Sequence, residues 1–184
     1  LVRHGVSVKM SRTKDENDTL SAEIKECNAF SPDLAVDIHN NAGGGDGTET
    51  FYHYGGGKSK TLAENILAEI VKVGQNSRGA KIRKNNQGKD YYGFIRETAC
   101  PAVIVECAFV DNVTDLKILS SEDKKKAMGV AIAKGILKTL GVEFQAEKST
   151  LYRVQVGAYL VRANAEAMQR KIKAVGFDAF IVKE

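Results

Sequence analysis

The sequence predicts an α/β fold, a mostly parallel sheet flanked by helices, followed by a partial β-α-β unit. Three observations carry this prediction. Two short apolar runs, LAVDI (34–38) and PAVIVECAFV (101–110), have the length and the flanking residues of buried strands. Two longer stretches, 59–73 and 121–140, repeat apolar residues at helical spacing and alternate with those runs. After Leu140 the periodicity lapses through a polar connector, and a new alternating pattern begins at Leu151. The expected domains are therefore 1–142 and 151–184, joined by a linker at 143–150.

Taken in order, VSVKMS (6–11) alternates apolar and polar residues as a half-buried strand does. Ser21 is the expected cap of a helix with Leu20, Ile24 and Cys27 on one face. Pro32 bounds the entry to LAVDI, and Gly43–Gly45 with Gly47 bound its exit. TETFYHY (48–54) alternates again and reads as a third strand, at an edge. Leu62, Ile66, Ile70 and Val73 mark a helix that Gly74 stops. NSRGAKIRKNNQGKDYYG (76–93) is polar and rich in glycine, and is expected to be a long loop. PAVIVECAFV is the most apolar run in the chain. The next helix starts at Ser121, carries Glu122 and Asp123 in its first turn and Lys138 in its last, and stops at Gly141. In the second unit, LYRVQVGAY (151–159) and DAFIV (178–182) are strands, and Ala165, Met168, Ile172 and Val175 mark the helix between them.

The bulk numbers exclude several classes. At 184 residues, 43% hydrophobic and 27% charged, the chain is globular rather than disordered. It offers no run of about 18 apolar residues, so no membrane span is expected. The net charge of +4 is made of interspersed acids and bases, which is no nucleic-acid stripe. The three cysteines, Cys27, Cys100 and Cys107, follow no CxxC or Cys/His pattern and are expected to be buried apolar thiols.

In α/β sheets of this kind, ligands sit beyond the carboxyl ends of the strands. His39 follows LAVDI and Glu106 ends PAVIV. If those strands are parallel neighbours, both side chains reach one crevice, an arrangement that suits metal-assisted hydrolysis. On the residues alone, a histidine or a glutamate at a strand end is as readily structural. Asn41 is either a turn former or a substrate contact, and Arg96 either an exposed arginine or a partner for a substrate carboxylate. GGGKSK (55–60) lacks phosphate-loop spacing and reads as a turn into a helix.

The segment from VSVKMSRTKD to TETFYHY, followed by PAVIVECAFVDN, resembles the zinc-dependent N-acetylmuramoyl-L-alanine amidases of the amidase-3 type from about Val2 to Val142. The strand ending in His-x-Asn-Ala (His39, Asn41, Ala42) and Pro-Ala-Val-Ile-Val-Glu (101–106), with Phe109 and Asn112 following, carry the resemblance. It implies a hydrolase cutting the amide between muramic acid and the first L-alanine of the peptidoglycan stem peptide. It also implies zinc as cofactor, His39 as a zinc ligand and Glu106 as the catalytic carboxylate. The family's Gly-His-Gly histidine and its glutamate ligand have no counterpart here: His4, His53 and Cys107 do not replace them. By this resemblance the chain reads as an internal piece that lacks the first strand and two zinc ligands.

YRVQVGAYLVRANAEAMQRKIKAVGFDAFIV resembles the first half of a SPOR domain, a ferredoxin-like β-α-β-β-α-β fold whose sheet binds glycan strands. Tyr152, Gln155 and Tyr159 fall on motif-like positions. The expectation is a secreted, cell-wall-associated autolysin, monomeric, whose partner is peptidoglycan through its glycan strands and stem peptides. The alternatives are an inactive homologue or truncated remnant that binds the wall without catalysis, and a zinc hydrolase acting on another amide.

Overall fold

The computed structural model describes residues 1–15, 18–146 and 154–183. The chain divides into two compact units, Leu1–Gln145 and Ala146–Glu184.

The first unit is built on four strands: β1 (Ala35–Asn41), β2 (Thr48–Tyr52), β3 (Ser77–Lys81) and β4 (Ala102–Phe109). Their order is β1-β4-β2-β3, with β1 parallel to β4, β2 parallel to β3 and β2 antiparallel to β4. The sheet is thus mostly parallel, as the apolar runs predict. β4 is buried on both faces because its alternate residues serve two cores. Val103, Val105 and Cys107 meet Leu62, Ile66 and Ile70 of α2 (Gly57–Lys72) and Met128 and Ile132 of α5 (Glu122–Leu140). Ala102 and Ile104 meet Ile24 of α1 (Leu20–Phe30) and Phe94 and Ile95 of α3 (Gly93–Glu97) on the other face.

Several expectations need correcting. TETFYHY forms β2, which lies between β4 and β3 rather than at an edge, with Thr48 and Thr50 fully buried. The stretch expected as one long loop contains β3, an edge strand of sequence SRGAK. That strand comes from backbone pairing with β2, so its side chains need not alternate. VSVKMS forms no strand, and Val8 and Met10 stand exposed. Alternation alone does not make a strand, and none of the described strands pairs with this segment. Thr19, not Ser21, caps α1, accepting the Ala22 N–H at 3.2 Å. The other helix signals hold: Ser121 caps α5, Gly141 ends it at φ 72°, and Gly74 at φ 98° follows α2. The short helices α3 and α4 (Val113–Leu119) lack the length to repeat a pattern.

The second unit contains α6 (Arg162–Ala174). The strands expected around it are not formed in 154–159 or 178–182, and residues 151–153, Tyr152 among them, lie outside the described residues. In a split β-α-β the two parallel strands do not touch but flank a strand supplied by another segment. No such strand exists among the described residues, and Val154, Leu160, Phe177 and Phe180 remain exposed.

Candidate functional site

The register of the first unit fixes the site. β1 pairs with β4 from Ala35↔Ala102 to His39↔Glu106, and β2 pairs with β4 so that Glu49 faces Glu106. Directly paired residues share a face of the sheet. His39, Glu106 and Glu49 therefore form a row across three strands, in the carboxyl-terminal halves of β1 and β4. The register shifts between His39 and Asn41, which ends the regular pairing just past the row.

Each member of the row has a different electrostatic setting. His39 Nε2 lies 3.0 Å from Asp37 Oδ2, two residues back on the same face. That hydrogen bond raises the His39 pKa, and the charges of Asp37 and Glu106 add to it against partial burial. Burial raises the pKa of Glu106; His39 opposes the rise, and the charges of Glu49 and Asp37 reinforce it. The Glu106 Oε2 atom is buried and has no hydrogen-bond partner among the described residues. Glu49 is the counterexample. Its burial acts to raise its pKa, but hydrogen bonds from Lys81 and from Arg78 Nε, at 3.1 Å, hold it below the usual range. Asn41 Nδ2 also donates to Glu49 Oε1 at 2.8 Å, while Asn41 Oδ1 accepts the Ala42 N–H.

Beyond the row, the glycine loop is pinned by carboxylates from across the sheet. Asp111 accepts the N–H groups of Gly43 and Gly44 at 2.7 and 2.9 Å. The buried Asp115 accepts those of Gly47 and Phe109 and takes a further bond from Gln75 Nε2. Asn112 donates to the Gly45 carbonyl, and a Cβ on Gly45 would stand 2.5 Å from the Phe109 ring. Asp111 and Asp115 were not among the residues that the sequence singled out. Their partners in the glycine loop lie more than 60 residues away, and no local spacing announces that kind of contact.

Of the residues singled out in the sequence, His39 and Glu106 are brought together, and Asn41 reaches Glu49 beside them. Arg96 is not there. Its guanidinium donates to the carbonyls of Asp90 and Tyr91 and to Glu97, and it lines a hollow of about 250 Å³ with His53, Pro101 and Ala102. That is the entry end of β4, roughly 13 Å back along the strand from Glu106. His4 stacks on Phe144, and His53 lies just past β2, 3.2 Å from Asp90. Cys107 points into the opposite core. Among the described residues no three His, Cys, Asp or Glu side chains converge to hold a metal ion. His39 supplies one imidazole, and these residues by themselves do not make up a zinc site.

With this geometry, the chain can be set beside the known proteins that it resembles. The profile of the N-acetylmuramoyl-L-alanine amidase family matches residues 1–138, and that of the SPOR domain matches 122–183. The N-acetylmuramoyl-L-alanine amidase CwlM of Bacillus licheniformis is 35% identical over 96% of this chain and 67% of its own length. The sporulation-specific N-acetylmuramoyl-L-alanine amidase of Bacillus subtilis is 31% identical over 97% and 68%. Among solved structures, Cwp6 from Clostridium difficile aligns with a TM-score of 0.73 at 38% identity, over 75% of this chain and 23% of its own. The catalytic domain of the amidase CwlV from Bacillus (Paenibacillus) polymyxa aligns at 0.65 and 29% identity, over 74% of each chain. The chain belongs to the N-acetylmuramoyl-L-alanine amidase family, and its function is that of a peptidoglycan amidase working at the cell wall. The SPOR match overlaps α5, whose Met128, Ile132 and Leu137 are buried in the first unit. No helix among the described residues is long and apolar enough to cross a membrane.

Proposed function

We propose that the chain hydrolyses the amide between N-acetylmuramic acid and the first L-alanine of the stem peptide, with Glu106 moving the proton and His39 serving as a zinc ligand. The observation that carries this reading is the register that pairs His39 with Glu106 on two parallel neighbouring strands. A half-buried carboxyl with a raised pKa suits both proton transfers of the reaction. It takes a proton from the attacking water and returns it to the departing alanine nitrogen. Zinc belongs to the family, and His39 is the described side chain best placed to meet it. The imidazole must lose its proton to bind a cation, so its raised pKa makes metal uptake weaken as pH falls. Asn41 acts beside the row by holding Glu49, and Arg96 contacts substrate only if the stem peptide extends to the entry end of β4.

The same reading assigns 1–142 to the amidase, 143–150 to a linker and 151–184 to a SPOR piece directed at glycan strands. The protein is secreted and acts as a monomer. The boundary between the two compact units, which falls after Gln145, supports this division.

Digestion of purified sacculi tests the reaction. The expected products are peptides with a free N-terminal L-alanine, and intact glycan strands. Glu106→Ala is expected to slow release by about 100-fold or more; equal release would remove Glu106 from the mechanism. Zinc content after dialysis tests His39 separately. About one zinc per chain, lost in His39→Ala, supports the ligand role, and a zinc-free chain overturns it.

A further inference from the structure

We propose that Cys27 and Cys100 are a disulfide-forming pair that, once oxidised, staples the last turn of α1 to the segment entering β4. The backbone around them is already clamped. Asn28, next to Cys27, donates from Nδ2 to the Glu97 carbonyl at 3.0 Å and accepts the Ala99 N–H at 2.8 Å. Cys27 and Cys100 flank this clamp and pack against one apolar cluster that includes Ile24, Phe94, Ile95 and Ile104. The two thiols lie close enough for each to shift the other's proton affinity, and both are free and half-buried. Cys107 cannot compete, because it is buried in the core on the other face of the sheet. Cys100 also borders the hollow beside Arg96 and Thr98, which gives a small reagent a way in.

The oxidant is a low-molecular-weight disulfide, RS–SR. The Cys100 thiolate attacks one of its sulfurs, the S–S bond breaks, and RS⁻ leaves. The Cys27 thiolate then attacks the Cys100 sulfur of the mixed disulfide and expels the second RS⁻. Two protein thiols lose two protons and two electrons, and the reagent is reduced to two RSH. Burial raises both thiol pKa values, that of Cys100 to about 11, so closure is slow near neutrality and quickens with pH. The bridge closes a loop of about 70 residues containing β1, β2, α2, β3 and α3, which constrains the unfolded chain strongly. This pairing concerns the scaffold and does not depend on the reaction assigned to Glu106.

The test treats the full chain with oxidised glutathione at about pH 8.5 and counts thiols after denaturation. The expected result is one remaining thiol instead of three, a mass lower by two hydrogens and a peptide linking Cys27 to Cys100. A melting temperature raised by roughly 10 °C and restored by dithiothreitol should accompany it. Cys107→Ala should close in the same way, and Cys27→Ser should stop at a glutathione adduct on Cys100. Three surviving thiols, persistent adducts on the unmutated chain or a bridge to Cys107 would each overturn the pairing. The unmutated chain and Cys107→Ala decide the matter even if Cys27→Ser fails to fold.

Discussion

Glu49 and Glu106 stand directly opposite each other on neighbouring strands, and their surroundings push their proton affinities in opposite directions. Glu49 is almost fully buried, so its charge persists only because Lys81, Arg78 and Asn41 bond to it. Its folded pKa lies below the unfolded one. The stability it contributes is therefore complete above the ordinary carboxylate range and is lost as pH falls through the folded value. Glu49→Gln is expected to destabilise by about 2 kcal/mol near neutrality, with the difference shrinking as pH falls through the lowered carboxyl pKa, as urea unfolding at neutral and at acid pH would show. Glu106 has the reverse sign. Its raised pKa means that its ionised form is penalised in the folded state, a penalty absent below the unfolded pKa and complete above the folded one. Glu106→Gln is then expected to raise stability at neutral pH by an amount of order 1 kcal/mol while abolishing turnover. A variant both inactive and destabilised at neutral pH would contradict this account of the buried carboxyl.

At the level of elements, the tightest joint is between α2 and α5. A Cβ on Gly135 would fall 2.5 Å from the Ile66 Cα, so the two helix backbones meet where only glycine fits. Gly129, on the preceding part of the same helix, is exposed and faces open space. Intrinsic propensity favours alanine over glycine at both positions by about 1 kcal/mol. Gly129→Ala is expected to stabilise by about that amount, and Gly135→Ala to destabilise by about 1–3 kcal/mol because the helices must part. Denaturation midpoints of the two variants separate packing from propensity. The contrast also shows what the sequence could reveal. The apolar spacing of α2 and α5, the caps of α5 and the run of β4 were legible because each is a local pattern. β3, the central place of β2 and the Asp111 and Asp115 clamps were not, since each depends on what the fold brings from elsewhere. The site divides the same way. His39 and Glu106 were legible as polar residues of two parallel strands, whereas Glu49, which faces Glu106 across the sheet, carries no motif and became visible only through the register.

For the whole molecule, the division into two units separates a part that buries a core from a part that does not. Among the described residues, all the buried hydrophobic side chains belong to Leu1–Gln145, and most of them fall in two clusters on opposite faces of one sheet. In the second unit α6 is thirteen residues long, has no buried residue, and is flanked by exposed Val154, Leu160, Phe177 and Phe180. A helix of that length is marginal alone, and two unpaired strand-like segments add no backbone partners. A chain ending at Gln145 is therefore expected to unfold in one cooperative transition. A peptide covering 146–184 should show only weak, gradually melting helicity by circular dichroism. Adding the strand that a split β-α-β requires between its two parallel partners should change this, because each segment would then gain a full ladder of hydrogen bonds and a sheet on which α6 can pack. A cooperative transition in the isolated 146–184 peptide would show instead that this unit reaches a core of its own without an added strand.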